Sequence, residues 1–493
     1  MRSPLPTTRR PAAAAGLALL ALAAPTVLAF FKGGYFDGPR DVALALTGLL
    51  LAACALLLPV RALWPRNRHA QLALLAFAGL TAWTAWSTRW APLNDNAWAT
   101  FERDALYLGA LVVAVATLRY VPRAVEPALA AGALVVVGYG LLGRLIPDVV
   151  HAAPSISAGG RLDQPLTYWN AMGALGALGF VLSARIAGDD TRPAPHRALA
   201  AAAAVPLAVA IYLTFSRGAL AATAAGLVVL LALAPSYTQL RAAAIAVEAG
   251  IIGCAVAAAA PAVRTLHGAH PALQGLAVLV ALLALMGLAA FVQLWACRDE
   301  RVGASRLGRL PLPPHHGWVA ALLVAAMLVV PVAVAAGSDA PSASSDPRFG
   351  ASTSRLASTD SPRYHYWKVA IDTFADHPLK GVGAGGFAVR WLEDRPVRQP
   401  AQDAHSLEIE TLAELGIVGG LLLVLMGAGI ALASRDAIRD LGAATVAGPI
   451  AALSAYAFHG AIDWDWEMPA LTLVGVALAG ALLAASDADG DRA

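Results

Sequence analysis

Residues 198–234 read ALAAAAAVPLAVAIYLTFSRGALAATAAGLVVLLALA, and Arg217 is the only charge among them. The apolar runs on either side, Ala198–Phe215 and Gly218–Ala234, each have the length a helix needs to cross the hydrocarbon core of a bilayer. The same pattern recurs along the chain. Eleven such runs lie between Ala12 and Gly337, and three more, Leu412–Ala433, Leu441–His459 and Pro469–Ala485, follow a long interruption. The first, Ala12–Phe31, has Arg9 and Arg10 ahead of it but no clean cleavage site behind it, so it reads as a retained helix rather than a leader. Helices and closed barrels are the structures that satisfy their backbone inside lipid. The expected fold is therefore an all-α polytopic membrane protein with about fourteen transmembrane helices (twelve to fourteen).

Composition agrees. Of 493 residues 58% are hydrophobic and 14% charged, whereas soluble domains carry about 25% charged residues. That excludes an ordinary soluble enzyme. The net charge of +3 gives no reason to expect a nucleic-acid partner. Cys54, Cys254 and Cys297 lie in or beside apolar runs, an odd set that reads as small buried hydrophobes.

Loop arginines and lysines set orientation. With the N-terminus cytoplasmic, the inner segments carry 19 and the short outer segments 8, so both termini are expected inside, with residues 486–493 as a cytoplasmic tail. Helices 1–11 then occupy residues 1–337, a large extracytoplasmic loop residues 338–411, and helices 12–14 residues 412–485. The loop opens on a Ser/Pro/Ala/Gly-rich tether, Ser338–Thr359. Two short amphipathic helices are expected after it. Ser361-Pro362 suits the start of the first, whose face Tyr364, Trp367, Ile371 and Phe374 is expected on the membrane surface. Gly381, Gly383, Gly385 and Gly386 make a sharp turn, and Asp403 is expected to cap the second helix, which runs into Leu412.

The unusual polar residues collect on the outer side. Arg217, between Ser216 and Gly218 with almost no loop, is costly at membrane depth unless it is paired or faces a polar cavity. Arg363 heads the first loop helix, and Arg161 follows Gly159-Gly160. His405 is placed in the first turn of the second helix, where the dipole favours a neutral ring, with Glu408 on the same face to orient it. Asp463-Trp464-Asp465-Trp466-Glu467 reads either as an interfacial Trp belt with solvated carboxylates or as a sugar platform or metal contact. Arginines hold the charge that grows on a departing diphosphate, and a neutral histidine takes the proton of an attacking hydroxyl. The chemistry this suggests is glycan transfer from a lipid-linked diphosphate to an acceptor hydroxyl. No GxxxxGK[ST] is present, and no GxGxxG opens a predicted soluble domain.

Several blocks, in order, resemble the O-antigen ligase and polymerase superfamily: Gly160–Asn170 (GRLDQPLTYWN), Thr214–Leu220 (TFSRGAL), Arg363–Phe387 (RYHYWKVAIDTFADHPLKGVGAGGF), Ala404–Gly420 (AHSLEIETLAELGIVGG) and Asp463–Pro469. The core of the resemblance covers about residues 198–433. It implies a GT-C-like glycosyltransferase of the cytoplasmic membrane, with a polyprenyl-diphosphate-linked glycan as donor, a glycan, lipid or protein hydroxyl as acceptor, and neither cofactor nor metal. Carried over by motif, His405 is the base, and Arg217 and Arg363 bind the diphosphate. Arg161 is a further phosphate contact, and Ser216, Trp367, Glu408, Asp463 and Asp465 are substrate-binding candidates. Ser406 stands where the family often has Asn. The competing expectation is a lipid-glycan flippase or other transporter without catalytic activity, which should place its charges near the bilayer midplane.

Overall fold

The structure, a computed structural model, describes residues 9–303 and 361–487. The expected eleventh span Gly317–Gly337 and the Ser338–Thr359 tether lie outside the described residues, as does residue 488 onward of the expected tail. Each of the other thirteen apolar runs falls on a helix. The first part of the chain forms α1 (Arg9–Ala29), α2 (Asp37–Leu57), a short α3 (Val60–Leu63), α4 (Arg68–Ser87), α5 (Asn94–Thr117) and α6 (Pro122–Leu145). Next come α7 (Trp169–Gly188), α8 (Ala194–Leu213), α9 (Arg217–Leu233), α10 (Tyr237–Ala258), a short α11 (Pro261–Thr265) and α12 (Pro271–Gly303). After the gap follow α13 (Arg363–Asp376), α14 (Phe387–Asp394), α15 (Leu407–Leu441), α16 (Ala443–Gly460) and α17 (Pro469–Ala485). Eight of these helices are long and apolar enough to cross a membrane, and α9 and α17 are apolar but shorter. The protein is an integral membrane protein, and the elements among its described residues are all helices.

α7 is the axis of the bundle, and its whole apolar stretch is buried inside the protein. Small residues let its neighbours close on it. A Cβ at Gly173 would stand 2.7 Å from Ala219, one at Gly176 2.9 Å from Ile211, and one at Gly179 2.7 Å from Ala133. Alternate loops gather at opposite ends of the bundle. At one end Leu162 N–H donates to Leu213 O (2.9 Å), Tyr35 OH to Gln402 (3.0 Å) and Ala384 N–H to Ser87 Oγ (3.1 Å). At the other, Asn67 donates to Asp436 (2.8 Å) and Arg192 to Glu126 (2.6 Å). The alternation read from the apolar runs is thus a property of the fold.

The segment after residue 360 departs from expectation in three places. First, α13 packs on α14 and α15, burying Tyr366, Trp367, Ala370 and Thr373, while Tyr364 and Ile371 of the expected Tyr364–Trp367–Ile371–Phe374 face pack partly buried against the same cluster. Its partner is protein, and the packed face is wider than the one read for a membrane surface. Second, α14 was not expected. Its Phe387 and Trp391, one turn apart and fully buried, anchor it beneath α13. Third, the helix expected from Asp403 starts at Leu407, with Ser406 Oγ accepting from Ile409 N–H (3.5 Å) as its cap.

α15 is broken at Gly416, whose φ of 64° and ψ of −163° are open in practice only to glycine. A break exposes backbone groups, and the glycine turn covers them. Val382 N–H donates to Ala413 O (3.1 Å), Gly383 N–H to Glu414 O (2.7 Å), and Ile417 N–H to Pro378 O (2.8 Å). Trp83 Nε1 caps Leu415 O at 2.9 Å. The buried Glu414 carboxylate completes the clasp by accepting from Gly385 N–H (2.8 Å) and Phe387 N–H (3.0 Å). A Cβ at Gly416 would also meet Leu379 O at 2.5 Å. Gly416→Ala is therefore expected to cost about 1–3 kcal/mol or more and to lower the thermal unfolding midpoint in detergent. An unchanged midpoint would show that the break is not a fixed feature.

Candidate functional site

The site is built around the turn between α16 and α17, residues 461–468. Its acidic tip is neither solvated nor a membrane belt. Asp463 and Asp465 are each 1% exposed, and Trp466 and Glu467 are also buried. A buried carboxylate needs partners, and the turn supplies them from distant elements. Asp463 accepts from Tyr168 OH (2.6 Å), from its neighbour's Trp464 N–H (3.0 Å) and from the Arg363 guanidinium. Burial by itself lifts the Asp463 carboxyl, but Arg363, with His459 and His405, outweighs it and holds the group below the usual carboxylate range. Asp465 accepts from His459 Nδ1 at 2.6 Å. Trp466 donates to Asp104 (3.0 Å), and its carbonyl accepts from Tyr107 OH (2.7 Å). The sugar-platform reading therefore meets two carboxylates whose oxygens largely face protein groups.

Arg363 opens α13, and its side chain is 21% exposed. Asp463 occupies one part of a guanidinium that has five N–H donors, so donors remain for an anion.

His405 precedes α15 rather than lying in its first turn. Its φ is 58°, left-handed and strained for a residue with a side chain. Because it is off the helix, the expected pairing with Glu408 does not form. Glu408 accepts from Ser406 Oγ instead (3.3 Å). His405 Nδ1 stands 2.9 Å from Asp403 O. A carbonyl only accepts, so Nδ1 carries the proton and Nε2 the lone pair. Trp367 Nε1 donates to His405 O (3.3 Å), which makes Trp367 a brace for this strained residue. The ring sits 5.0 Å from that of Tyr366 and 6.3 Å from that of Trp464. Desolvation in this setting pushes the imidazole down to about 4, against the pull of Asp463.

Arg217 is the first residue of α9, which Ser216 caps by accepting from Ala219 N–H (3.2 Å). The preceding Phe215 is buried with φ of 50°, a second strained position. Next to Arg217, a Cβ at Gly218 would lie 3.2 Å from Ile462 Cδ1 and 3.2 Å from His459 Nε2. One stretch, His459 to Trp464, thus touches the Arg217 turn, Arg363 and His405. Arg161 precedes Leu162, whose N–H donates to Leu213 O just ahead of the Arg217 turn. It is fully buried, donates to Ala158 O (2.7 Å) and lies 3.5 Å over the Trp169 ring. Trp169 in turn packs on Tyr168, the partner of Asp463.

Tyr168 and Asp403 have central places that the sequence reading did not give them. Tyr168 lay inside a quoted motif, but Asp403 acts through its carbonyl, which no side-chain pattern reveals. Among the described residues one group has metal-ligand spacing: Asp403, Glu410 and Glu467, with oxygens within 4.8 Å of one another. Arg103 stands 3.2 Å from Glu467, and Ala404 N–H donates to Glu410 (2.6 Å), so protein donors already serve this cluster. Burial pushes Asp403 up to about 6, with Arg103 opposing and Asp463 adding to the rise.

Residues 272–424 match the family described as O-antigen ligase. This supports a place for the chain in the O-antigen ligase and polymerase superfamily, the group its motifs resemble. No curated protein matches the chain.

Asp463→Ala would strand Arg363 in a largely buried place. The expected loss is about 2–3 kcal/mol, reduced from the fully buried case because the guanidinium keeps some solvent. Replacing both partners, with Asp463→Leu and Arg363→Met, should cost less than Asp463→Ala alone. Thermal unfolding of the three variants reads the difference, and equal losses would show that the pair does not couple.

Proposed function

We propose that this integral membrane protein is a glycosyltransferase of surface polysaccharide biosynthesis. It moves a glycan from a polyprenyl-diphosphate donor to an acceptor hydroxyl on the outer face of the cytoplasmic membrane, with both chain termini in the cytoplasm. The observation that carries this reading is the gathering of the Arg217 turn, Arg363 and His405 around residues 459–464. The O-antigen ligase match supports the same class.

In this reading His405 Nε2 takes the proton of the acceptor hydroxyl as its oxygen attacks the anomeric carbon. The bond from that carbon to the phosphate oxygen breaks, and the electron pair leaves on the diphosphate. Arg363 and Arg217 hold the charge that develops there. Asp463 and Tyr168 aim Arg363, and Asp403 O fixes the tautomer of His405. A diphosphate beside Arg363 also adds negative charge near the imidazole and so raises its basicity. Trp367 and Ser216 hold the backbone on which the base and Arg217 sit. Arg161 braces Trp169 and through it Tyr168. The charged groups lie where loops from one end of the bundle meet, which favours this reading over a flippase with charges at mid-membrane.

Purified protein supplied with lipid-linked oligosaccharide and candidate acceptors should form new glycosidic product. A ladder marks a polymerase and a single shift a ligase. His405→Ala, Arg363→Ala and Arg217→Ala should each cut the rate by about 10²–10⁴-fold while the protein still inserts. Because the free-enzyme imidazole is held down to about 4, it is neutral and able to accept a proton at every pH above that value. kcat/KM should therefore stay level as pH falls through the neutral range and drop only on approach to about 4. Movement of lipid-linked sugar across vesicles with no new glycosidic bond would replace this reading with the flippase.

A further inference from the structure

Beside Gly218 the mechanism leaves one buried pair unused. His459, at the end of α16, is fully buried, and its Nδ1 lies 2.6 Å from Asp465 Oδ2. Among the described residues, neither His459 Nε2 nor Asp465 Oδ1 has a hydrogen-bond partner. Nε2 lies against the first turn of α9, 3.2 Å from where a Cβ on Gly218 would sit, with Cδ2 at 3.3 Å. Glycine is what allows the ring edge to lie against that turn. The N-terminus of α9 presents outward-pointing amides and the positive end of the helix dipole, and Arg217 is its first residue.

These features belong together chemically. A histidine that only filled space would gain from an apolar replacement, since an unpaired buried nitrogen is a net loss. A histidine backed by a carboxylate keeps its first proton on Nδ1 and takes a second on Nε2 when negative charge arrives. The charged groups that act on the ring are Asp465 and Asp463, with Arg363 behind Asp463, and the first residue of α9 is Arg217. An anion at the α9 terminus would thus meet backbone N–H groups, a guanidinium and an imidazolium N–H, the donor set that diphosphate oxygens require.

We propose that His459, charged through Asp465, is a third cationic ligand of the donor diphosphate, hydrogen-bonding it at the N-terminus of α9 beside Arg217. The inference rests on the glycosyltransferase reading only for the identity of the anion. The site itself is specified by the orphaned imidazole nitrogen, the glycine gap and the helix terminus.

The test uses the full-length protein in lipid nanodiscs, with farnesyl diphosphate as probe and inorganic pyrophosphate in a parallel arm. His459→Phe should weaken farnesyl diphosphate binding at least about tenfold. His459→Gln, which keeps a neutral donor, should lose less. Gly218→Ala, which puts a methyl into the gap without removing a polar group, should also weaken binding. Loss in both arms identifies a diphosphate site, and loss confined to the farnesyl arm a lipid-diphosphate site. Wild-type affinity in both His459 variants would overturn the proposal and leave the pair as scaffold. Should His459→Phe fail to fold, ¹⁵N-histidine spectra of the unsubstituted protein decide. Probe addition should move one imidazole to the doubly protonated form, assigned by its absence in His459→Gln, and no such change would overturn the proposal. Binding that depends on His459 in a protein that makes no glycosidic bond would keep this site and remove the glycosyltransferase reading. Glycan transfer with His459→Phe at wild-type affinity would do the reverse.

Discussion

An ion pair between Arg363 and Asp463 organises this end of the molecule. Asp463 is buried and Arg363 nearly so, and neither charge can be left alone there. Satisfying the carboxylate draws Tyr168 from the loop before α7, Arg363 from α13 and the α16–α17 turn to one point. Three parts of the chain separated by nearly three hundred residues are thereby held in register. Removing either partner would leave an uncompensated charge, so the arrangement is stiff, as the proposed transfer asks of donors aimed at a developing charge. The pairing also changes what Arg363 is. It is a positioned hydrogen-bond donor whose charge is partly balanced, not a bare cation.

A second constraint acts on the backbone. The break at Gly416 frees peptide groups in a long apolar helix, and each has to be met by protein. The glycine turn at 381–386, Trp83 and the Glu414 carboxylate meet them. This clasp fastens α13 and α14 to the first turns of α15, just below the strained His405. His405 is therefore presented by a lattice of backbone bonds, and Trp367 and the Asp403 carbonyl finish its orientation.

Much of the site was legible in composition and neighbourhood. Arg217 stood out as a lone charge between two membrane-length runs. Arg363 and His405 stood out because each adjoined a helix start after a long polar interruption. Other features were hidden for definite reasons. α14 has only two turns, too few for a periodic pattern, although Phe387 and Trp391 are spaced to bury together. Asp403 was expected to cap α15, but Ser406, an equally good cap residue three positions on, holds that place, and the shift moved His405 off the helix and away from Glu408. The Asp463–Glu467 run looked like a surface tip because its partners, Tyr168, His459, Asp104 and Arg103, come from three other places in the chain.

By itself the amino-acid sequence determined the helical membrane fold, the alternation of loops between two ends, and which loops carry the unusual charges. Those depend on local run length and on the cost of placing backbone and charge in lipid, which act along the chain. Only the tertiary structure decided which charges neutralise one another, which ring nitrogen of His405 carries the proton, and that His459 lies against Gly218. Those depend on desolvation and on partners brought from afar, and a buried group takes its protonation and direction from what surrounds it rather than from its neighbours in sequence.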